Sequence, residues 1–118
     1  MEHQSNEQRI PISMMQGAIF ASLQGALLPH LMLRLRNDLL DMVRQHRCSR
    51  ALLDMSGIES MDRVEFENVV DTAKMLKLMG VKTCLVGMRP GIISGLSAVG
   101  ADMTALHGVC NLEQALEY

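Results

Sequence analysis

From residue 28 onward the sequence alternates between amphipathic helical patterns and short apolar runs, and this alternation constrains the fold more than any other feature. Hydrophobic residues recur at intervals of three and four over residues 28–46 and again from residue 64 to about residue 79, which predicts two amphipathic helices. Nearly continuous apolar runs at 50–54 and 82–87 are typical of strands covered on both faces. Such an alternation predicts a largely parallel sheet with right-handed crossovers.

The segment before this alternation has the pattern of a β-hairpin. Residues 10–15 and 18–23 are two strand-like runs separated by Gln16 and Gly17, which favours a tight turn. Pro11 lacks a backbone N–H group for a sheet ladder, so the first strand is expected at an edge.

The C-terminal part of the chain completes the predicted order of elements. A short helix is expected over residues 92–99 and a last short strand within residues 101–110. Asn111 and Gln114 have the spacing of a capping box, which predicts a terminal helix over residues 112–117. The predicted fold class is therefore α/β, with a mixed, mostly parallel sheet, an initial hairpin and about four flanking helices.

The length and composition indicate one domain. A chain of 118 residues is near the common size of a single core. We expect residues 1–8 to be a flexible polar tail and residues 9–118 to form the domain. Aromatic residues are only 3% of the chain, so aliphatic side chains and some of the 11 methionines must fill the core.

Charge, cysteines and hydropathy limit the classes of partner and the compartment. A net charge of −2 gives no global reason to expect nucleic acid or an anionic membrane as partner. The 3 cysteines leave an odd thiol under any disulfide scheme. There is no secretory h-region and no apolar run of about 20 residues. We therefore predict a soluble, cytoplasmic protein.

The strand–loop–helix junction LLDMSGIESMDR, at residues 52–63, is the candidate functional segment. It follows a predicted parallel strand, and recognition surfaces of such sheets tend to lie at the carboxyl ends of the strands. Residues 54–71 are rich in carboxylates, opposed only by Arg63: Asp54, Glu59, Asp62, Glu65, Glu67 and Asp71.

The residues of this junction do not favour an enzyme. Asp54 could act as a receiver-like phosphoacceptor, but the ends of the neighbouring predicted strands lack the acidic and hydroxyl companions of that chemistry. Glu65 and Glu67 are two residues apart on a helix and are interpreted as a solvated acidic face. We predict no catalytic residue, no metal site and no cofactor.

Other side chains near the junction are candidates for capping or for contact with a partner. Ser56 is interpreted as part of a turn, and Ser60 as an N-cap of the second helix. Met75 and Leu78 fall away from the predicted buried stripe of that helix, so they are candidates for exposed apolar contacts, whereas a slightly rotated helix would bury them instead. The candidate partner-binding residues are Glu59, Asp62, Arg63, Glu67, Asp71, Met75 and Leu78.

Three segments resemble the STAS domain of anti-sigma-factor antagonists: residues 52–63, the stretch KLMGVK at 77–82, and the ending NLEQALE at 111–117. Within that family the chain is most similar to single-domain stressosome scaffolds of the RsbS type, and the likeness covers about residues 9–117. The resemblance implies a non-enzymatic regulator that forms homo- and hetero-oligomers with larger RsbR-type paralogues. It further implies sequestration of a GHKL-type, RsbT-like switch kinase.

The family pattern differs from this chain at one informative position. In the family, an Asp is followed by a Ser or Thr that the kinase phosphorylates to release itself, whereas here Asp62 is followed by Arg63. Arginine has no hydroxyl group, and its fixed positive charge is opposite to that of a phosphoserine. If phosphorylation regulates this chain, Ser56 or Ser60 would have to serve instead.

Three functions are therefore considered. The leading prediction is a stressosome scaffold that acts in stress signalling. The first alternative is a free anti-sigma-factor antagonist that binds an anti-sigma kinase directly. The second, from another class, is a small-molecule-binding or receiver-like phosphoacceptor module.

Overall fold

The computed structural model describes residues 9–102 and 107–109, and within these residues it shows a five-stranded sheet and three helices. The elements in chain order are β1 (Ile12–Met15), β2 (Ala18–Gln24), α1 (Pro29–Gln45), β3 (Arg50–Gly57), α2 (Arg63–Leu78), β4 (Lys82–Val86), α3 (Pro90–Ala98) and β5 (His107–Val109). The strands keep their chain order across the sheet. Only β1 runs antiparallel to its neighbour, so the predicted mixed, mostly parallel α/β fold is confirmed.

The predicted hairpin forms the outer edge of the sheet. Met15 pairs with Ala18, and the two turn residues between them both have positive φ, 52° for Gln16 and 77° for Gly17. Positive φ at both central residues suits the right-handed twist of a two-residue hairpin. The edge position expected from Pro11 is also confirmed, since β1 has one neighbour.

The main core lies between one face of the sheet and the helices. Leu35 and Leu39 of α1, Phe66 and Val69 of α2 and Leu96 of α3 are all buried in one cluster with alternate residues of β2 and β3. A second, smaller buried cluster lies on the opposite face of the sheet and consists of Ala18, Leu52, Cys84 and Val86. The period of two along the strands separates these clusters.

The main correction to the predicted elements concerns the end of β3. The sequence placed the loop from Met55 onward, but β3 continues to Gly57 and Met55 is fully buried. The continuation depends on pairing with β2, which shifts register after Ser22 and then joins Gln24 to Gly57. A short polar stretch can be held in a strand by such a long-range ladder against its local propensity.

Several smaller predictions can also be placed. The strand expected within residues 101–110 is confirmed at His107–Val109. The tail predicted at residues 1–8 and the helix predicted at residues 112–117 lie outside the described residues. In the part of the chain that the structure describes, no helix combines the length and apolarity needed to span a membrane.

Candidate functional site

The junction between β3 and α2 lies at the carboxyl ends of the parallel strands. Ile58 is fully buried and donates its backbone N–H to the Met55 carbonyl oxygen at 3.0 Å, which anchors the start of the loop. The next two residues, Glu59 and Ser60, are exposed. The loop therefore presents polar side chains from a point fixed in the core.

Helix α2 begins with a capping box formed by two carboxylates of the junction. The Asp62 side chain accepts the backbone N–H of Glu65 at 2.8 Å, and the Glu65 side chain accepts the backbone N–H of Asp62 at 2.9 Å. This reciprocal pair satisfies two donors of the first helical turn. The N-cap predicted at Ser60 is wrong, because Asp62 occupies that position and Ser60 lies two residues before it.

Glu65 also joins α2 to the loop between β2 and α1. Its second carboxylate oxygen accepts the backbone N–H of Leu27, a buried residue between β2 and α1, at 3.1 Å. The interpretation of Glu65 as part of a solvated acidic face is therefore wrong. One carboxylate fixes the position of the α2 N-terminus relative to the β2–α1 loop.

Arg63 is the first residue of α2 and lies on the surface. Its Nε atom is 3.2 Å from Glu67 Oε2, one helical turn on, in an exposed ion pair. Its Nη1 atom donates to the carbonyl oxygen of Val99 at 3.4 Å, at the end of α3. The guanidinium thus connects the start of α2 with the segment that follows α3.

A shallow cleft runs along α2 from Arg63 and is called here the α2 cleft. Its volume is about 330 Å³. Three predicted partner-binding residues, Arg63, Glu67 and Asp71, lie on it together with Lys74, and Phe66 and Val70 form its floor. The structure therefore brings these three candidates onto one side of the helix.

A second concave surface, called here the edge groove, lies on the other side of the α2 N-terminus. It has a volume of about 460 Å³ and separates the β2–α1 loop from the β3–α2 loop. The lining residues are Gln24, Gly25, Ala26, Gly57, Glu59, Ser60 and Glu65. Glu59 and Ser60 thus face a different surface from Arg63 and Asp71.

Ser56 belongs to β3 and not to a turn, which corrects its interpretation from the sequence. Its backbone N–H donates to Asp54 Oδ1 at 3.0 Å, and its carbonyl oxygen accepts Arg89 Nη2 at 3.3 Å. Gly87 approaches closely with φ of +72°, and a Cβ atom there would lie 3.1 Å from Ser56 Cβ. The exposed Ser56 side chain is thus carried on a tightly held backbone.

The two predicted apolar contacts on α2 differ in exposure. Leu78 is 89% exposed, as expected. Met75 is only partly exposed and packs against the main core, so its predicted exposure is wrong. A small rotation of the helix relative to the predicted stripe accounts for the difference.

Sequence reasoning missed the polar contact that joins α1 to α2. Arg36 donates from Nε to Thr72 Oγ1 at 2.9 Å and from Nη2 to the Asn68 carbonyl oxygen at 3.0 Å. Thr72 is fully buried. No local pattern signals this contact, since the partners are 36 and 32 residues apart.

The described residues include two cysteine thiols, Cys48 and Cys84. Burial raises the pKa of the Cys48 thiol, and it also raises the pKa of the Cys84 thiol against the opposing effect of Lys82 and Arg50, so neither is poised as a thiolate. Over residues 9–102 and 107–109 no three metal-ligating side chains converge. The junction instead offers charges of both signs on a rigid frame.

Comparisons with known proteins connect this geometry with one family. The family model described as the STAS domain matches residues 10–114. The RsbT co-antagonist protein RsbRA of Bacillus subtilis is 25% identical over 84 residues, which are 71% of this chain and 31% of that protein. The chain thus spans about a third of the length of this curated relative.

Two solved structures share the fold. A serine-to-glutamate variant of RsbS from Moorella thermoacetica superposes with a TM-score of 0.76 and 18% identity, over 92% of each chain. A chain from a structure described as the molecular architecture of the stressosome, a signal integration and transduction hub, gives a TM-score of 0.77 and 19% identity, over 91% of this chain and 93% of that chain. At these identities the likeness concerns the fold.

Proposed function

Since the chain belongs to the STAS domain family, we propose that it is a non-enzymatic scaffold of a bacterial stressosome that acts in stress signalling. In this role it co-assembles with RsbR-type STAS paralogues and sequesters an RsbT-like switch kinase. Two comparisons support the proposal: the stressosome chain with the same fold, and the relative RsbRA, which is named as an RsbT co-antagonist.

The observation that carries the proposal is the rigid, exposed start of α2. The capping box and the Glu65–Leu27 hydrogen bond fix the backbone there, while Arg63, Glu67 and Asp71 remain at the surface along the α2 cleft. A surface that is already ordered loses little conformational entropy when a partner binds. Its carboxylates would attract a basic partner surface and speed the encounter.

The side chain at residue 63 determines how such a scaffold would be regulated. Arg63 has no hydroxyl group to phosphorylate, and its guanidinium is held by Glu67 and the Val99 carbonyl oxygen. We therefore propose that kinase binding by this chain is not relieved by phosphorylation at residue 63. If phosphorylation regulates this chain, Ser56 and Ser60 are the exposed hydroxyl groups of the junction, and a phosphoryl group on either would add a charge of about −1.5 to −2.

A co-expression experiment tests the proposal. The chain is expressed with an RsbR-type paralogue and with an RsbT-like kinase, and complexes are measured by native mass spectrometry at low ionic strength. We expect a complex with each partner. Reversing the charge of the α2 cleft with Asp71→Lys should weaken kinase binding by about tenfold, because electrostatic complementarity is lost.

Glu59→Lys is the matched control, since it reverses a charge on the edge groove and not on the cleft. It should change kinase affinity by less than about threefold. Kinase binding without a paralogue complex would favour the free anti-sigma-factor antagonist. Absence of both complexes, together with Mg²⁺-dependent labelling of Asp54 by acetyl phosphate, would overturn the proposal in favour of a receiver-like module.

A further inference from the structure

The sheet has an amino edge, where the parallel strands begin, and a carboxyl edge, where they end, and these two edges are chemically different. The difference is possible because strands β2, β3 and β4 are parallel. Their first residues lie side by side, since Ala18 pairs with Arg50 and Arg50 pairs with Lys82. The crossover helices run back to this amino edge, so the last turns of α1 and α2 lie there as well. A pocket of about 500 Å³ shows that these segments lie together, because its lining includes Gly17 of the hairpin turn, Arg47 of the loop after α1 and Met79 directly after α2.

The amino edge is basic in the described part of the chain. Five cationic side chains lie in its loops, strand starts and last helical turns, and they are Arg44, Arg47, Arg50, Lys77 and Lys82. Asp41 is the carboxylate nearest to them along α1, and it is paired with Arg44 at 3.6 Å. Arg44 and Lys77 lie near helix C-termini, where a positive charge interacts favourably with the helix dipole. Arg47, Arg50 and Lys82 lie outside the helices, so the helix dipole does not account for their positions.

The carboxyl edge is acidic. Its strand ends, loops and first helical turns carry Asp54, Glu59, Asp62, Glu65 and Glu67. Two arginines lie among them, and both donate to groups of the same edge: Arg63 to Glu67 and the Val99 carbonyl oxygen, and Arg89 to the Ser56 carbonyl oxygen. The charges of the described residues are thus separated along the strand direction.

Each edge also combines an exposed apolar side chain with a concave surface. At the amino edge Leu78 is 89% exposed and its neighbour Met79 is 36% exposed. At the carboxyl edge Val64, in the first turn of α2, is 65% exposed. The edge groove is lined in part by Gly25 and Ala26, and a Cβ atom at Gly25 would meet nothing within 4 Å, so there is open space beside it. Exposed apolar side chains with a charged rim are typical of interfaces.

We propose that the amino edge of one copy of this chain docks on the carboxyl edge of a second copy, in a head-to-tail contact. Leu78 enters the edge groove of the neighbour, and Lys77 lies against Glu59 at its rim. A second copy of the chain fits as the partner because the two edges carry opposite charges. The inference rests on the proposed scaffold function for its biological meaning, and it names the contact between copies of the scaffold.

A head-to-tail contact has a distinct consequence for assembly. It uses two different patches, so each added copy leaves one free edge of each kind. Such contacts form rings when the rotation closes and filaments when it does not. A two-fold dimer, by contrast, would use the same patch on both copies and stop at two.

Sedimentation velocity on the full chain, at low ionic strength and at roughly 0.5 M salt, tests the inference. The wild-type chain should self-associate at low ionic strength and dissociate in high salt. Leu78→Asp blocks the amino edge and Glu59→Lys blocks the carboxyl edge, and each variant alone should be monomeric. Mixed in equal amounts, the two variants should form one-to-one dimers that grow no further, because each supplies one intact edge.

Asn37→Lys is the matched control, because Asn37 is exposed and lies midway along α1, between the two edges. It should associate like the wild type. All three altered side chains are exposed, and unchanged thermal midpoints would verify folding. A wild-type chain that stays monomeric at low salt, a Glu59→Lys variant that still self-associates, or a mixture without dimers would overturn the inference. These readouts use this chain alone, so a failure of kinase or paralogue binding leaves them unaffected.

Discussion

At the scale of single residues, Glu65 sets the geometry of the candidate site. Its two carboxylate oxygens accept backbone N–H groups from Asp62 and from Leu27. Asp62 and Glu65 have the spacing of a capping box, so that half of the role was predictable from the sequence. The contact with Leu27 was not predictable, because it joins residues 38 positions apart and exists only once the sheet has formed.

Glu65→Ala should lower the free energy of unfolding by about 1–2 kcal/mol, because it leaves two backbone donors without their acceptor. Glu65→Gln retains one carbonyl oxygen and should cost less. Urea denaturation monitored by circular dichroism measures both variants. Glu67→Ala, which removes only an exposed ion pair, is the control and should change the free energy of unfolding by less than about 0.5 kcal/mol. Equal effects at residues 65 and 67 would disprove the role of Glu65.

At the scale of elements, periodicity predicted the type and order of all eight described helices and strands. It failed where long-range pairing overrides local propensity, as at the end of β3, where Gly57 is held by Gln24 of β2. It also failed on helix orientation at one residue, since Met75 packs against the main core. A single sequence gives the width of an apolar stripe better than its rotation.

The Arg36–Thr72 contact leads to a prediction about the packing of α1 on α2. Thr72→Val keeps the side-chain shape but removes the acceptor of a charged donor, so it should destabilise the fold by about 1.5–3 kcal/mol. Thr83→Val is the matched control, because Thr83 is also buried but its hydroxyl has no hydrogen-bond partner in the described structure. Thr83→Val should be neutral or stabilising. Thermal or urea denaturation of both variants measures the difference, and similar losses in both would contradict this account.

At the scale of the whole molecule, the parallel topology places the cationic side chains of the described residues mainly at the amino edge and their carboxylates mainly at the carboxyl edge. The basic edge was not predicted from the sequence, because its cations come from two separate stretches, residues 44–50 and 77–82, which the sheet brings side by side. The sequence did show the excess of carboxylates around residues 54–71. Their division between the α2 cleft and the edge groove required the fold.

We propose that this chain binds the kinase as a scaffold and that its junction lacks the phosphorylation switch at residue 63. The most direct test is retention of an RsbT-like kinase on the immobilised chain after addition of Mg²⁺ and ATP, with phosphosites mapped by mass spectrometry. The wild-type chain should keep the kinase and gain no phosphate at residue 63. Arg63→Ser should gain phosphate there and release the kinase, whereas Arg63→Ala, which lacks both the charge and the hydroxyl group, should retain it. A wild-type chain that never binds the kinase, or an Arg63→Ser variant that binds it without accepting phosphate, would contradict the claim.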